Sequence, residues 1–253
     1  MNNCMNAFEK LIWNRVPEYI RRLGFDIHNI LIVALRILAI TDMLTREIEE
    51  FLLDFRSHAH LVLFYYAPET KHEILFTHIK FGEKNQGLAY VCSEENPQQV
   101  REEMKRFGID ADGLRTSGRL AISNYNDIYI INGDANTARI MTAFSEMTEK
   151  YKLMGLEGMR AAAEMSCFFR EDKVKELMMY EYALHKRLRF SAEGICAYNI
   201  REMQSAGHLE TIMPIIRAHD TVILAGPNES LLLDPVKVED NDVENAMQIE
   251  IKT

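Results

Sequence analysis

Apolar positions in residues 60–95 recur at the spacing of a strand, then of a helix, and then of a second strand. Residues 60–66 (HLVLFYY) are an apolar run rich in β-forming side chains, and residues 67–70 (APET) predict a turn that contains a proline. Residues 71–84 predict a helix, and residues 87–92 (GLAYVC) predict a second buried strand. Two buried strands joined by a helix pair in parallel through a right-handed crossover.

The same alternation of strands and helices continues to residue 225. Further strands are predicted at 119–123, 158–164, 194–198 and 221–225, and helices at 97–109, 134–154, 171–189 and 201–217. This order is typical of an α/β fold with a mainly parallel sheet that helices cover on both faces. We assign residues 58–226 to this domain. The C-terminal segment 227–253 is expected to form an edge hairpin, with strands at 231–238 and 247–251 around an acidic loop.

Residues 1–57 differ from the rest because their pattern predicts an all-helical extension. Residues 30–40 are apolar almost all round, and such a helix must be covered on every side. Pairing with a second copy of the chain would cover it, so we interpret residues 1–57 as a dimerisation element. A DNA-binding helix-turn-helix is the alternative. The segment has seven Lys and Arg against eight Asp and Glu, so direct DNA binding is not expected.

Composition narrows the class of protein and its compartment. The 253-residue chain has a net charge of −9, which disfavours nucleic-acid binding through phosphate contacts. Its four cysteines form no CxxC pair, which is typical of reduced, buried thiols rather than of a metal site or disulfides. The N-terminus lacks the pattern of a signal peptide, and the apolar run 30–40 is too short to span a membrane. These features predict a cytoplasmic protein.

Polar and aromatic side chains follow several of the predicted strands. In an open parallel sheet the carboxyl ends of the strands meet at one edge, where ligands bind. We therefore predict a polar, aromatic pocket there. The alternative is that these residues only cap helices and contact water. The strand-end residues concerned are Tyr65, Tyr66, Glu94, Glu95, Glu164 and Tyr198.

Residues 60–110 resemble the opening of the KaiC/RecA-type P-loop ATPases. The resemblance implies that Lys71 stands near the phosphate-loop lysine, Glu94 and Glu95 at the catalytic glutamate pair, and Glu164 near the acid that supports Mg²⁺. The loop itself departs from the motif GxxxxGK[ST], since residues 65–72 (YYAPETKH) contain no glycine and no Ser or Thr after the lysine. We therefore expect no ATP hydrolysis and no cofactor. Binding of ATP and Mg²⁺ remains the alternative.

A resemblance to the MEDS sensory domain of methanogen and methylotroph regulators covers nearly all of residues 58–226. It rests on HLVLFYY, the GEK…LAYV step, FGID at 107–110, GRL at 118–120, GMRAAAEMS at 158–166, Tyr180-Glu181, CAY at 196–198, Arg201 and His219. The resemblance implies a degenerate KaiC-like fold that senses a small molecule and relays the signal to an output. It implies no established enzymatic activity.

These observations predict a non-enzymatic sensory or regulatory protein that binds a small organic ligand at the carboxyl rim of the sheet. A regulatory protein partner or a transcriptional output would receive the signal. The alternatives are a nucleotide-binding protein with a degenerate P-loop and a scaffold without a ligand. The candidate ligand-binding residues are His60, Tyr65, Tyr66, Lys71, Glu94, Glu95, Glu164, Tyr180, Glu181, Tyr198, Arg201 and His219.

Three smaller expectations concern side chains in that domain. His60 and His219 are each predicted to serve as structural hydrogen-bonding residues. Glu181 is expected to pair with His185, four residues on along a helix. A redox or metal site is less favoured. It would join the thiols that follow three strands, which are Cys92, Cys167 and Cys196.

Overall fold

The computed structural model describes residues 44–54, 59–187, 192–225 and 230–233. Within them, one seven-stranded sheet has the order β3-β2-β4-β5-β1-β6-β7. Its first six strands are parallel, and β7 pairs antiparallel with β6. This confirms the predicted α/β fold with a mainly parallel sheet. The strands are β1 (His60–Tyr65), β2 (Gly87–Cys92), β3 (Leu120–Asn124), β4 (Met159–Glu164), β5 (Ala192–Asn199), β6 (Thr221–Ala225) and β7 (Ser230–Leu233).

Helices cover both faces of the sheet. One face, which we name the α2 face, is covered by α1 (Leu44–Leu53), α2 (Pro68–Phe81), α3 (Pro97–Arg106) and α4 (Ala111–Thr116). The other, the α8 face, is covered mainly by α6 (Thr137–Leu153), α7 (Cys167–Arg170), α8 (Val174–Arg187), α9 (Ile200–Ser205) and α10 (Ile212–Arg217). A short helix α5 (Tyr125–Ile128) follows β3, and a 3₁₀ turn (Leu209–Thr211) precedes α10.

Alternation along each strand decides which face a side chain reaches. In β1, Leu61, Leu63 and Tyr65 pack in the core of the α2 face, whereas Val62 and Phe64 pack in that of the α8 face. Successive side chains of a strand point to opposite faces, so strand residues two apart share a face. Both cores are closed to solvent, and the same alternation in β4 and β5 separates the polar side chains of the domain into two groups.

The helix α2 begins earlier than the sequence pattern predicts. Residues 67–70 were expected to form a turn, but the helix starts at Pro68, with Ala67 in an extended conformation before it. Proline is suited to the first helical position because its fixed φ matches the helix and its missing N–H is not needed there. Lys71 therefore lies at the end of the first turn of α2.

One predicted helix differs in the structure. Residues 201–217 form α9, a 3₁₀ turn and α10 instead of one helix, because Gly207 adopts a left-handed φ of +77° just after α9. Of the predicted edge hairpin, residues 231–233 are described, and they belong to β7, which pairs antiparallel with β6. Residues 234–253, which include most of that hairpin, lie outside the described residues.

The packed unit extends beyond residues 58–226. Ile48 and Leu52 of α1 are buried in the core of the α2 face, where α1 contacts α2 and β7. Residues 1–43 lie outside the described residues, so the predicted dimerisation element stays a prediction. Among the helices that the structure describes, none is long and apolar enough to cross a membrane.

Candidate functional site

A buried lysine joins three glutamates at the carboxyl end of the sheet. The side chain of Lys71, the fourth residue of α2, is completely buried. Its Nζ lies 2.8 Å from Glu164 at the end of β4, and 3.0 Å and 3.4 Å from Glu95 and Glu94 in the loop after β2. Strands β2 and β4 are parallel neighbours, so their ends bring these acids to one ammonium group. We name these four residues the lysine–glutamate cluster.

Glu164 accepts hydrogen bonds on both carboxylate oxygens. Its Oε1 accepts from Lys71 and from the Tyr90 hydroxyl, both at 2.8 Å. Its Oε2 accepts from the backbone N–H groups of Ser93 and Glu94, both at 2.7 Å. Burial raises the pKa of the Glu164 carboxyl, while the charge of Lys71 acts in the opposite direction. Four donors offset the cost of burying this carboxylate, so it can remain ionised beside the lysine.

The two other glutamates are held from the outer side of the cluster. The Tyr65 hydroxyl donates to Glu94, and Asn199 Nδ2 lies 3.4 Å from the same carboxylate. His72 Nε2 lies 2.8 Å from Oε1 of Glu95. Burial acts to raise the pKa of Glu95, but its hydrogen bond to His72 and the charge of Lys71 outweigh it and lower this pKa to about 2.

The charges of the cluster determine what it can accept. Burial by itself would lower the pKa of Lys71, but the three carboxylates outweigh it and raise that pKa above its usual value. Lys71 therefore stays charged, and each glutamate occupies one of its contacts. An ammonium group has three N–H donors. All three are directed at carboxylates, so Lys71 has no donor left for a phosphate.

An aromatic and a cationic side chain lie near the cluster at the same edge. Tyr66 directly follows β1, and the guanidinium carbon of Arg201 lies 4.1 Å from the centre of the Tyr66 ring. Tyr66 is half-buried and Arg201 is exposed. The carboxyl rim therefore has a buried charged interior and a partly open aromatic surface.

The structure brings five of the twelve predicted residues together and places five others elsewhere. Tyr65, Lys71, Glu94, Glu95 and Glu164 form one connected group at the rim. Five other candidate ligand-binding residues lie on the α8 face, apart from this group. They are His60, Tyr180, Glu181, Tyr198 and His219.

Strand direction and the alternation of side chains explain why these five residues lie apart from the lysine–glutamate cluster. His60 is the first residue of β1, so it lies at the amino end, opposite to the rim. Tyr198 shares the α8 face with Cys196, and its hydroxyl donates to Glu181 of α8. Glu181 thereby turns towards the sheet, whereas His185, the partner that was expected for it, is exposed.

The three strand-following cysteines do not converge. The thiol of Cys92 lies 3.2 Å from the carbonyl oxygen of Ser123 on the α2 face of the sheet. Cys167 and Cys196 belong to the core of the α8 face, and Cys196 lies 3.2 Å from His60 Nε2. The sheet separates Cys92 from the other two thiols, which rules out a trio at the rim.

The sequence pattern missed several residues of the rim. Tyr90 and His72 contact the cluster directly, and Asn199 caps α9 while it contacts Glu94. Tyr90 could have been found from its position two residues before Cys92, at the end of a strand. His72 follows Lys71 on α2, and its contact with Glu95 depends on how α2 packs against the loop after β2.

His72, Glu95 and Glu164 are close enough together to hold a metal ion. Glu164 already accepts four hydrogen bonds, one of them from Lys71. The ammonium group of Lys71 would repel a divalent cation at this position. A metal ion is therefore a poor fit to the rim.

An open groove lies at the β3 edge of the sheet, away from the rim. Its volume is about 530 Å³, and it runs between β3 and α6. It is lined by Arg115, Gly118, Leu120, Ala121, Ile122, Ala143, Glu146, Met147, Lys150 and Tyr151. None of the twelve predicted residues belongs to this lining, so the groove and the rim are separate places on the domain.

Comparison with known proteins assigns the fold and the family. The family model described as MEthanogen/methylotroph, DcmR Sensory domain (MEDS) matches residues 59–220. The chain belongs to the MEDS family. The match begins just before β1, ends just before β6, and confirms the resemblance found in the sequence. MEDS is a sensory domain, which supports a sensory or regulatory role. No curated protein matches the sequence significantly.

The crystal structure of the KaiC-like protein PH0186 from the hyperthermophilic archaeon Pyrococcus horikoshii OT3 is similar to this MEDS chain. The two superpose with a TM-score of 0.51 and 16% sequence identity, over 70% of this chain and 79% of that chain. At this identity the likeness shows the fold alone. It agrees with the predicted KaiC/RecA-like arrangement of the sheet.

Proposed function

We propose that this MEDS chain is a non-enzymatic sensory module that binds a small organic ligand at the carboxyl rim. The observation that carries the proposal is the position of Glu94 and Glu95. Their side chains are 13% and 22% exposed, yet both contact the completely buried Lys71. A ligand that contacts these two carboxylates from outside would thus alter contacts inside the domain.

The charge of the rim favours one chemical class of ligand. Three carboxylates surround one lysine, so an additional anion would be repelled and a positively charged or hydrogen-donating group would be attracted. The half-buried ring of Tyr66, against which Arg201 packs, adds an aromatic surface nearby. Small organic amines combine a hydrogen-donating cationic group with an apolar part, and we propose them as the ligand class.

The same contacts give a route for a signal. Lys71 belongs to α2, Glu94 and Glu95 follow β2, and Glu164 ends β4. A bound amine that competes with Lys71 for Glu94 or Glu95 would change the environment of three elements together. We propose that this change at α2 is passed to a protein partner or a transcriptional output.

Nucleotide binding fits the rim less well. In P-loop proteins, backbone N–H groups of a glycine-rich loop surround the phosphates, and the lysine contacts them. Here Pro68 begins a helix without a preceding loop, and Lys71 is directed at three carboxylates. These carboxylates take the place that phosphate oxygens would need.

Isothermal titration calorimetry with methylamine and trimethylamine tests the proposal, with formate as an anion of similar size. We expect saturable heat with an amine and none with formate. Glu95→Gln removes one rim charge and should weaken amine binding about tenfold, which corresponds to loss of one charged contact. Glu73→Gln, at an exposed position of the same helix α2, is the matched control and should bind as the unchanged chain does.

The competing functions have distinct outcomes in parallel experiments. Micromolar binding of mant-ATP with Mg²⁺ that Lys71→Ala abolishes would contradict the sensory proposal and support a nucleotide-binding protein. Native mass spectrometry of protein purified from cell extract tests whether the chain is a scaffold without a ligand. A protein partner without any small molecule, together with no amine binding, would favour that function.

A further inference from the structure

Four side chains with metal-binding atoms converge on the α8 face, away from the rim. His60 begins β1, Cys196 lies in β5, Glu181 lies in α8, and His219 precedes β6. All four are buried, with at most 3% of any one of them exposed. One donor atom of each lies within 4.8 Å of the donor atoms of the other three. The amine-sensing proposal uses none of these four residues.

Three of the distances between the four donor atoms are close to those found in tetrahedral metal sites. His60 Nε2 lies 3.2 Å from Cys196 Sγ and 3.4 Å from Glu181 Oε2. His219 Nε2 lies 3.5 Å from the same carboxylate oxygen. With zinc–ligand bonds of about 2.0–2.3 Å, neighbouring ligand atoms of a tetrahedral site lie roughly 3.3–3.6 Å apart. These three distances, with all four donor atoms within 4.8 Å of one another, fit four ligands that share one zinc ion.

Contacts outside this group orient both imidazole rings. His60 Nδ1 lies 3.2 Å from the carbonyl oxygen of Ala218, and His219 Nδ1 lies 2.7 Å from that of Ile215. A carbonyl oxygen can only accept, so each Nδ1 carries the proton and each Nε2 directs a lone pair inwards. Histidine ligands of zinc commonly donate their other N–H in this way.

The carboxylate ligand is oriented as well. The Tyr198 hydroxyl donates to Oε1 of Glu181, which leaves Oε2 directed at the two histidines. Hydrogen bonds of this kind from outside the ligand set hold a ligating carboxylate in place and are typical of the surroundings of metal sites.

Hydrogen bonds among these four side chains leave two of their buried polar atoms without a partner. Glu181 Oε2 and His219 Nε2 are both buried and lack a hydrogen bond of good geometry. These two atoms lie 3.5 Å apart, which is too long for a good O–H···N hydrogen bond. A proton on Glu181 would therefore not give His219 Nε2 a hydrogen-bond donor. The thiol of Cys196 has a single proton, which can serve His60 or Glu181 but leaves His219 unsatisfied. Buried polar atoms without partners are rare in native proteins and call for an unseen group between them.

We propose that His60, Glu181, Cys196 and His219 bind one zinc ion. A thiolate and a carboxylate neutralise the two charges of the ion, so the completed site can be buried without a net charge. Four protein ligands leave no open position, which is typical of structural zinc rather than of catalytic zinc. The ion would hold β1, β5, α8 and the segment before β6 together.

The test uses the full chain, purified without chelator and with a thiol reductant. Elemental analysis should find about one zinc per chain. After the metal is removed, added Co²⁺ should produce an intense visible spectrum typical of tetrahedral coordination, with a thiolate charge-transfer band. Adding back zinc at roughly 100 times its Kd should raise the midpoint of thermal unfolding by about 5–10 °C. No metal uptake, or a weak octahedral cobalt spectrum, overturns the proposal.

Single substitutions identify the ligands. Cys196→Ser should abolish the charge-transfer band, and His219→Ala should reduce the zinc content at least fivefold. Cys92→Ser alters a buried strand cysteine on the opposite face, and His185→Ala alters an exposed histidine of α8. These controls should retain zinc and the cobalt spectrum. A charge-transfer band that survives Cys196→Ser, or disappears in Cys92→Ser, overturns the assignment. If His219→Ala does not fold, the cobalt spectra of the two cysteine variants decide whether the assignment of the ligands holds.

Discussion

At the scale of single residues, Lys71 shows how pairing reverses the effect of burial. A buried lysine without partners loses its proton readily, because the charged form is poorly solvated. Three carboxylates within 3.4 Å of Lys71 overcome this effect and keep it charged. The lysine and its partners consequently depend on one another, so removing one member leaves buried charges without compensation.

Lys71→Met should lower the free energy of unfolding by about 3–5 kcal/mol, because Glu164 would remain buried without its cation. Urea unfolding followed by circular dichroism measures the loss. Lys80→Met, at an exposed position of the same helix, should change it by less than about 1 kcal/mol. The double variant Lys71→Met/Glu164→Gln should be less destabilised than the sum of its two single changes. Additive losses in the double variant would show that Lys71 and Glu164 do not stabilise each other.

The Glu95 carboxyl should make stability depend on pH in the acidic range. Its pKa is about 2 in the folded chain and 4.5 for an unperturbed glutamate, so the unfolded chain binds more protons between these values. The contribution of Glu95 to stability is present above pH 4.5 and is lost as the pH falls towards 2. Solvent screening of this partly exposed carboxyl reduces it from the full value of the pKa shift to about 2–3 kcal/mol.

Comparison with Glu95→Gln isolates this effect. The difference in unfolding free energy between the unchanged chain and the variant should be constant above about pH 5 and shrink as the pH falls to about 3. Urea unfolding at several pH values measures it, and Glu73→Gln should show no such trend. A difference that grows on acidification would mean that the carboxyl is not stabilised in its charged form.

At the scale of elements, Arg160 joins four parts of the structure at the opposite end of the sheet. It lies in β4 and forms a buried ion pair of 2.6 Å with Glu193 of β5. Its Nη1 lies 3.3 Å from the carbonyl oxygens of Leu52 in α1 and His78 in α2. Helix α1 is thereby attached to the sheet by a charged group as well as by its apolar side chains.

Arg160→Met should lower the free energy of unfolding by about 3–5 kcal/mol, because Glu193 would be left buried without its partner. Hydrogen exchange measured by mass spectrometry should show that the substitution accelerates exchange in α1 more than in α8. Arg106→Met removes an arginine whose side chain is 73% exposed and should have little effect on either quantity. Unchanged exchange in α1 would show that Arg160 does not hold this helix.

At the scale of the whole molecule, the predicted boundary at residue 57 cuts through the packed fold, because α1 belongs to the core of the α2 face. A deletion at that boundary would therefore remove the predicted dimerisation element and part of the core together. Deleting residues 1–43 removes the predicted dimerisation element and leaves α1 in place. Deleting residues 1–57 also removes Ile48 and Leu52 from the core of the α2 face. Burial of each such side chain stabilises a fold by about 1.5–3 kcal/mol.

We expect both deletions to change the oligomeric state measured by light scattering, and only the longer one to lower the free energy of unfolding, by roughly 3–6 kcal/mol. Deletion of residues 234–253 is the control for loss of a terminal segment and should leave the oligomeric state unchanged. An oligomeric state that persists without residues 1–43 would contradict the predicted interface.

The sequence by itself determined the order of the strands along the chain, the parallel α/β class and the family. These follow from local hydrophobic periodicity and from motifs, which depend on neighbouring residues only. It also indicated four members of the rim, because the last residues of parallel strands share an edge whatever their order in the sheet. The fifth member, Lys71, was indicated by the resemblance to the P-loop ATPases.

Only the tertiary structure decided which candidates meet. The separation of His60, Glu181 and His219 from the rim depends on the end of β1 at which His60 lies and on the face of the sheet that α8 covers. The contacts of Lys71 with three carboxylates likewise depend on how α2 packs against the ends of β2 and β4. Such contacts join residues up to 160 positions apart, and their free energy depends on packing that local pattern does not contain.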